Sequence, residues 1–357
     1  MAFVPSLLSL DMYISASPSS AFLSVFSSLG SFSPHLEEMT VVTHETSDIH
    51  RVSSFVTQPI LQLHRLHTLS IWDIGNQGIE HLMQQPALQS LSLDLRTSCR
   101  DRRAQSQFPG FHSLKSLRLS ARPEDASEFL NSLQVVRSKR IIFHLSPVFF
   151  PTTPGARLSN LFTTLQERWD NDYLEEFILE FESARVQTRP NDFMPLQACH
   201  NLTQLHIKEG CNTSMSGEEL CQLVSAWPKL EGLSIGCLAI SSDTSILTFH
   251  GLISLLRTCP ALTSLSLVIN TLNLDGIDLK FPGGGICNKN IKTLVLGNSV
   301  LESPLDVALI LSGLFPYLEQ VRLWDLIPQR PWAMDQWSSV NTFLRGFNIL
   351  RERYTEA

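Results

Sequence analysis

A short apolar phrase recurs along the chain: a leucine, two variable residues, a second leucine, one variable residue, and a third leucine or isoleucine. Six regular copies start at Leu66, Leu88, Leu114, Leu202, Leu230 and Leu262. Five looser copies start at Leu7, Leu36, Leu174, Ile291 and Leu318, and a degenerate one starts at Ser138. Positions four, five and six of the phrase are apolar, variable and apolar. This alternation is the two-residue period of a strand with one buried face. The pattern therefore predicts twelve short strands.

A helical pattern precedes several of these phrases. Leu220, Leu223 and Trp227 have the i, i+3, i+7 spacing of one helix face, and the same spacing occurs within residues 249–256 and 307–314. A proline stands two residues before the first leucine at six joints, where its ring blocks a further helical turn. These prolines are Pro5, Pro34, Pro86, Pro228, Pro260 and Pro316. Each unit is predicted to be a helix, a proline-marked turn and a strand.

The units recur about every 28 residues, a period that together with this phrase indicates a leucine-rich repeat. Parallel strands stack about 4.8 Å apart whereas helices need about 10 Å, so the array should curve, with strands on the concave face and helices on the convex face. We predict an α/β leucine-rich repeat solenoid of about 12 irregular units, forming one domain over residues 1–357. Its first strand would lack an N-terminal cap. Residues 146–157, 182–195, 273–290 and 325–337 are predicted to be surface loops.

Charge and composition exclude several classes of protein. The chain has 27 basic and 34 acidic residues, a net charge of -7, so no basic field exists to hold nucleic acid. The sequence contains neither an apolar run long enough to cross a membrane nor a signal-peptide pattern, and we expect a cytoplasmic or nuclear protein. The seven cysteines form no CxxC pair and are expected to be reduced, small apolar core residues.

Four stretches resemble chemical motifs, and each has a simpler explanation. Gly232–Gly236 reads GxSxG, but its serine falls within a strand phrase rather than at a strand-to-helix turn. His44–His50 has the wrong spacing for the zinc motif HExxH. Gly283–Gly285 follows a proline within an insertion and does not open a helix, and the arginines between Arg96 and Arg103 lack interleaved aromatics. We therefore predict a non-enzymatic protein without a cofactor or a metal site.

The remaining candidate for function is the outward face of the strands. The outward positions that carry large or charged side chains are Tyr13, Trp72, Asp94, Arg118, His144, Glu180, Lys208, Arg322 and Trp324. Exposed tryptophan and arginine dominate protein interfaces. We expect this face to bind a protein partner, with Trp72 and Trp324 as flanking anchors, and an ordinary mixed surface is the alternative.

The joint Cys259-Pro260-Ala261-Leu262, its related x-Pro-x-Leu joints and the uneven units resemble the leucine-rich repeat region of fungal F-box proteins. The resemblance covers almost the whole chain and implies a ubiquitin-ligase substrate receptor, in which repeats capture the substrate and an F-box binds a Skp-type adaptor. No F-box occurs in this sequence, so adaptor binding would require an F-box upstream. A binding protein of the ribonuclease-inhibitor type, unrelated to ubiquitin ligases, is the alternative.

Overall fold

The chain divides into two compact units. Unit 1 comprises residues 1–153 and 160–174, and unit 2 comprises residues 154–159 and 175–357. The computed structural model describes residues 6–14, 24, 26–43, 56–96, 107–146, 154–182, 186–208, 211–213, 215–236, 247–297, 299, 301–323 and 331–355. The expectation of a single curved domain stays a prediction.

Unit 1 is built on six parallel strands that pair in chain order. They are β1 (Ser9–Ile14), β2 (Glu38–Thr43), β3 (Thr68–Trp72), β4 (Ser90–Asp94), β5 (Phe108–Ala121) and β6 (Leu133–Leu145). The second apolar residue of every phrase is in register with its neighbours, in the order Leu10, Met39, Leu69, Leu91, Leu117 and Ile141. All six are buried. The predicted strands of this unit are confirmed, including the degenerate phrase at Ser138.

Unit 2 repeats this arrangement. Its strands are β7 (Glu176–Phe181), β8 (Val186–Thr188), β9 (Gln204–Ile207), β10 (Cys211–Thr213), β11 (Gly232–Ile235), β12 (Leu247–Thr248), β13 (Ser264–Ser266), β14 (Ile269–Asn270), β15 (Thr293–Val295) and β16 (Gln320–Arg322). The six predicted strands pair in the parallel order β7, β9, β11, β13, β15, β16, again with their central apolar residues in register. Two short parallel pairs, β8 with β10 and β12 with β14, accompany them.

Helices connect the strands. They are α1 (Leu29–Phe32), α2 (Gly75–Met83), α3 (Pro123–Asn131), α4 (Pro154–Arg168), the 3-10 helix Pro190–Ala198, α5 (Gly217–Val224), α6 (Phe249–Thr258), α7 (Pro304–Leu314) and α8 (Pro331–Thr355). The predicted helices before Leu230, Leu262 and Leu318 are α5, α6 and α7, and they are confirmed. Alternating parallel strands and helices with this phrase constitute the α/β leucine-rich repeat architecture.

The joints between helix and strand also follow the prediction. The residue three positions before the first leucine is buried, as at Cys199, Trp227, Cys259 and Phe315. At the Trp227 joint, its carbonyl accepts from the Leu230 N–H at 3.1 Å. Pro34, Pro86, Pro228, Pro260 and Pro316 each lie in the turn that follows, whereas Pro5 lies outside the described residues.

Strands β5 and β6 depart from the helix–turn–strand plan. They span 14 and 13 residues and pair from their first residues, with a register shift between Phe111 and Leu114. Gly110 permits this pairing: its φ is 98°, and a Cβ there would lie 1.8 Å from the carbonyl oxygen of Val135. Because β6 starts directly after α3, no proline turn separates the two. The predicted plan of helix, proline-marked turn and strand is therefore wrong for the repeat that contains β6.

Three of the predicted loops contain regular structure. Residues 146–157 include the start of α4 at Pro154. Residues 182–195 include β8 and most of the 3-10 helix, and residues 325–337 include the start of α8. Helix α8 lies against β16: the Asn341 side chain accepts from the Val321 N–H at 2.7 Å and donates to the Val321 carbonyl at 3.0 Å. At Val321, a helix side chain therefore provides the hydrogen-bonding partners that a further strand would supply.

Candidate binding surface

Strands β4, β5 and β6 present nine outward residues in three rows, which we call the unit 1 face. The rows are Ser90, Ser116 and Arg140; Ser92, Arg118 and Ile142; and Asp94, Ser120 and His144. The residues between them along each strand are buried leucine, isoleucine and phenylalanine. Since side chains alternate across a strand, the register brings these nine onto one surface.

Charge on the unit 1 face is concentrated on its arginines. Arg118 and Arg140 are exposed, and His144 is half-buried. The Asp94 carboxylate is held by Arg96 in the turn after β4, with its Oδ2 2.6 Å from Nη2 and its Oδ1 3.0 Å from Nε. A guanidinium in this two-point contact occupies both carboxylate oxygens. The face therefore combines small serine side chains with two exposed cations.

Trp72 is buried, contrary to the expectation from the sequence. It was expected to be an exposed anchor, but only 2% of it is accessible. The alternation of buried and outward residues ends at Ile71, because Trp72, Asp73 and Ile74 are all buried. The Asp73 N–H donates to the Asp94 carbonyl at 2.9 Å, so the chain stays against β4 beyond the strand. Trp72 is thus a core residue, and the prediction that it is exposed is wrong.

Unit 2 has an outward face of similar design. Its middle row is His206, Ser234, Ser266, Val295 and Arg322, whereas Ile178, at the same register on β7, is buried. Gln204 lies over Gly232, where a Cβ would meet the Gln204 Oε1 at 1.7 Å. Arg322, at the end of the row, is exposed. Trp324 lies outside the described residues, so its predicted role as an anchor stays a prediction.

Two predicted residues of unit 2, Glu180 and Lys208, form an ion pair. The Lys208 Nζ lies 2.5 Å from the Glu180 Oε1, and these residues sit at the same position of neighbouring phrases. The lysine side chain is half exposed whereas the glutamate is largely covered. Exposed pairs contribute little to stability. The pair therefore fixes the positions of two charges on this face more than it stabilises the fold.

The motifs set aside in the sequence analysis lie where expected, as far as they are described. Ser234 is within β11 and pairs with His206 and Ser266 on the neighbouring strands. Gly284 and Gly285 adopt positive φ angles in a turn. The segment His44–His50 lies outside the described residues.

The described residues contain neither a metal-binding cluster nor a membrane-spanning helix. No group of three or more His, Cys, Asp or Glu side chains that could hold a metal ion occurs in the part of the chain that the structure describes. Within the same ranges, no helix is both long and apolar enough to cross a bilayer.

Two cysteines occupy the packing position at the joints. Cys199 and Cys259 are almost completely inaccessible, as expected from the sequence, whereas Cys287 is exposed, so the expectation of a core position is wrong for that cysteine. Burial raises the pKa of both thiols to about 12, and the neighbouring Cys221 contributes further at Cys259. Because the thiolate is the nucleophilic form, both side chains are poor nucleophiles near neutral pH.

Arg140 and Ile142 belong to the unit 1 face but were not identified from the sequence. They occupy positions three and five of the degenerate phrase that begins at Ser138. The available signal was that alternation, with Ile141 and Phe143 buried on either side of Ile142. Applying the outward positions of the regular phrases to this copy identifies both residues.

No family model matches the chain, and no curated protein matches it. Among solved structures, the leucine-rich repeat-containing protein LegL7 of Legionella pneumophila aligns with a TM-score of 0.42 at 13% identity, covering 94% of this chain and 98% of its own. A leucine-rich repeat protein of Leptospira interrogans aligns with a TM-score of 0.31 at 12% identity, covering 94% and 83%. The leucine-rich repeat assignment rests on the register and joints of this chain.

Proposed function

We propose that this chain is a non-catalytic scaffold that binds a protein partner on the outward face of its strands. The observation that supports the proposal is the unit 1 face, where Ser92, Ser116 and Ser120 lie beside the exposed Arg118 and Ser116 borders Arg140. Small side chains let a partner approach the strands closely. Arginine, with five donors and a flat apolar surface, is among the residues that contribute most to protein interfaces.

The position of Ser234 supports a non-catalytic function. A nucleophile elbow requires the serine at a sharp turn between a strand and a helix, which exposes its hydroxyl to substrate. Ser234 instead continues a strand, with parallel neighbours on both sides. The GxSxG pattern is therefore a repeat phrase with two glycines, and no cofactor is needed for the proposed function.

In its finer form, the proposal makes the chain the substrate-binding part of an F-box ubiquitin-ligase receptor acting in the cytoplasm or nucleus. The repeat joints resembling those of fungal F-box proteins support this form. Binding of a Skp-type adaptor would then require an F-box encoded upstream of Met1. The alternative is a ribonuclease-inhibitor-type binding protein that acts without a ligase, and neither form involves nucleic acid or a membrane.

Affinity capture with the full chain as bait, followed by mass spectrometry, tests the proposal. We expect a specific protein partner that is lost when Arg118 and Arg140 are both changed to Glu. Recovery of a Skp-type adaptor and a cullin with a chain extended by the upstream sequence would support the ligase form, and their absence there would favour the alternative. A partner that binds the double variant as well as the unchanged chain would contradict the proposed surface.

A further inference from the structure

Helix α8 is held against unit 2 by one of its faces. Trp337, Val340 and Leu344 are buried on that face. The Trp337 Nε1–H donates to the Ser299 carbonyl at 3.0 Å, and the Asn348 side chain donates to the Leu318 carbonyl at 2.9 Å. With the Asn341 contacts to β16, these bonds anchor three successive turns. The rotation of α8 about its own axis is thereby fixed, and so is the direction in which its other residues point.

A second apolar stripe lies on α8 outside this contact. Phe343, Phe347, Leu350 and Tyr354 follow one another at intervals of four, three and four residues. Phe343 is 37% exposed, Leu350 51% and Tyr354 83%, and Phe347 is half-buried. At about 100° per residue, the centre of this stripe points about 110° away from the centre of the contact face, which is formed by Trp337, Val340, Asn341, Leu344 and Asn348. These intervals are those of the a and d positions of a heptad, which form the seam between two packed helices.

The residues beside the stripe determine which helix would fit it. With Phe347 and Tyr354 at a positions, the flanking e and g positions hold Leu344, Gly346, Arg351 and Arg353. Arg353 is exposed, and Arg351 donates a hydrogen bond to the carbonyl of Pro316. Charges at e and g select the partner helix by pairing with opposite charges. The stripe therefore favours acidic flanks, and a second copy of α8 supplies no acidic residue at these positions.

We propose that this stripe, which we call the α8 seam, is a second docking site, and that it takes an amphipathic helix with apolar a and d residues and acidic e and g residues. The site is separate from the strand face and does not depend on the proposed function. Leu350 and Tyr354 supply apolar area that is covered when the partner helix docks. Arg353 pairs with an acidic flank and sets the preference between partners.

Two synthetic helical peptides test the proposal, one with Leu at a and d and Glu at e and g, and one with Lys replacing each Glu. Binding to the full chain is followed by fluorescence anisotropy. The acidic peptide should bind, the basic peptide should bind at least about tenfold more weakly, and Leu350→Glu should lower affinity for the acidic peptide by about tenfold or more. Arg353→Glu should reverse the preference. Ile349→Glu is the matched control, since Ile349 is 49% exposed on the same helix but away from the stripe.

Three results would overturn the proposal. One is equal affinity of the two peptides, and another is equal binding of the acidic peptide by the Leu350→Glu and Ile349→Glu variants. The third is a concentration-dependent dimer that Leu350→Glu abolishes and Ile349→Glu does not, because the stripe would then pair two copies of this chain. Tyr354→Glu provides a second variant that keeps the test decisive if Leu350→Glu unfolds, because Tyr354 is 83% exposed.

Discussion

Asn341 offers a direct test of how unit 2 ends. Its amide completes both backbone hydrogen-bonding groups of Val321, at 2.7 Å for the N–H and 3.0 Å for the carbonyl. Val321 is 4% exposed, so water has little access to these groups once the amide is removed. Asn341→Ala would therefore leave a buried donor and a buried acceptor unsatisfied.

The size of the effect follows from those two groups. An unsatisfied buried donor or acceptor costs about 1–3 kcal/mol. Asn341 itself is half-buried, so some water can enter when the side chain is shortened. We therefore expect Asn341→Ala to lower the free energy of unfolding by about 2–4 kcal/mol, below the full sum. In a repeat protein the loss should concentrate where the contact is made, at β16 and α8.

Asn341→Asp keeps the side-chain oxygen that accepts from the Val321 N–H and replaces the amide group that donates to the Val321 carbonyl. A carboxylate can still accept from the Val321 N–H, but its second oxygen would face the Val321 carbonyl, whereas a protonated carboxyl could donate to it. The folded state would therefore raise the pKa of the introduced carboxyl above its usual value of about 3.9. A group whose folded pKa is raised contributes stability below its unfolded pKa and loses it as pH rises through the folded pKa. The deficit relative to the unchanged protein should be largest at pH 7 and should shrink toward pH 4.

Urea unfolding measures the free energy, and hydrogen exchange followed by mass spectrometry reports on residues 318–323. Both variants should speed exchange in that peptide while leaving β4–β5 of unit 1 unchanged. Thr342→Ala is the matched control, because Thr342 is exposed on the same helix and its hydroxyl bonds only within α8, to the Ser338 carbonyl. Unchanged exchange and unchanged unfolding free energy in Asn341→Ala would refute the reasoning.

Two further predictions concern the packing of the helices and the joints. A Cβ at Gly251 would lie 2.5 Å from the Leu247 Cδ1 and 2.9 Å from the Gly217 Cα, so Gly251→Ala should lower the unfolding free energy measured in urea by about 1–3 kcal/mol. Gly346→Ala meets no atom within 4 Å and should raise the same quantity by about 0.4–1 kcal/mol; equal effects of the two changes would argue against the close helix contact. At pH 8, iodoacetamide should label the exposed Cys287 in the native protein and leave Cys259, whose burial raises its pKa to about 12, unlabelled until urea is added, and rapid labelling of Cys259 would contradict its burial.

The repeat framework could be predicted from sequence because each unit repeats the same packing problem. An apolar residue at position four of each phrase is in register with the equivalent residue of the next strand, so one rule applied to Leu69 applies equally to Leu233. Even the degenerate phrase is identified, because Ile141 and Phe143 keep the alternation after Ser138 has replaced the first leucine. The joints are predictable for a related reason: a proline after a buried residue stops a helix whatever its length.

The unpredicted features lie where the repeat rule ceases to apply. Trp72 is the last residue of its strand, where burial of a large ring against its neighbours prevails over the alternation. The long pairing of β5 with β6 requires a positive φ at Gly110, and one glycine among many gives no sequence signal of that conformation. Trp337, Val340 and Leu344 of helix α8 have the i, i+3, i+7 spacing of a helix face. That spacing does not specify that the helix packs on the edge of β16, where the Asn341 amide bonds Val321 about 20 residues away.

Of the predicted site residues, those in mid-strand lie where the phrase places them. Arg118 is exposed between Ser92 and Ile142, as position five requires. Asp94 and Glu180 lie near strand ends, and each pairs with a neighbouring cation that the phrase alone does not specify. Sequence alternation thus predicts which side of the sheet a residue faces, whereas its ionic partner depends on turns and neighbouring strands.

The affinity of the captured partner for the Arg118→Glu variant shows whether the outward strand face is the binding surface. Arg65→Glu is the matched control, because Arg65 is also exposed but lies in the connection before β3, off the unit 1 face. We expect a loss of about tenfold or more for Arg118→Glu and no change for Arg65→Glu, with both variants unfolding at the same urea concentration as the unchanged chain. Equal affinity of the two variants would contradict the claim that the outward strand face binds the partner.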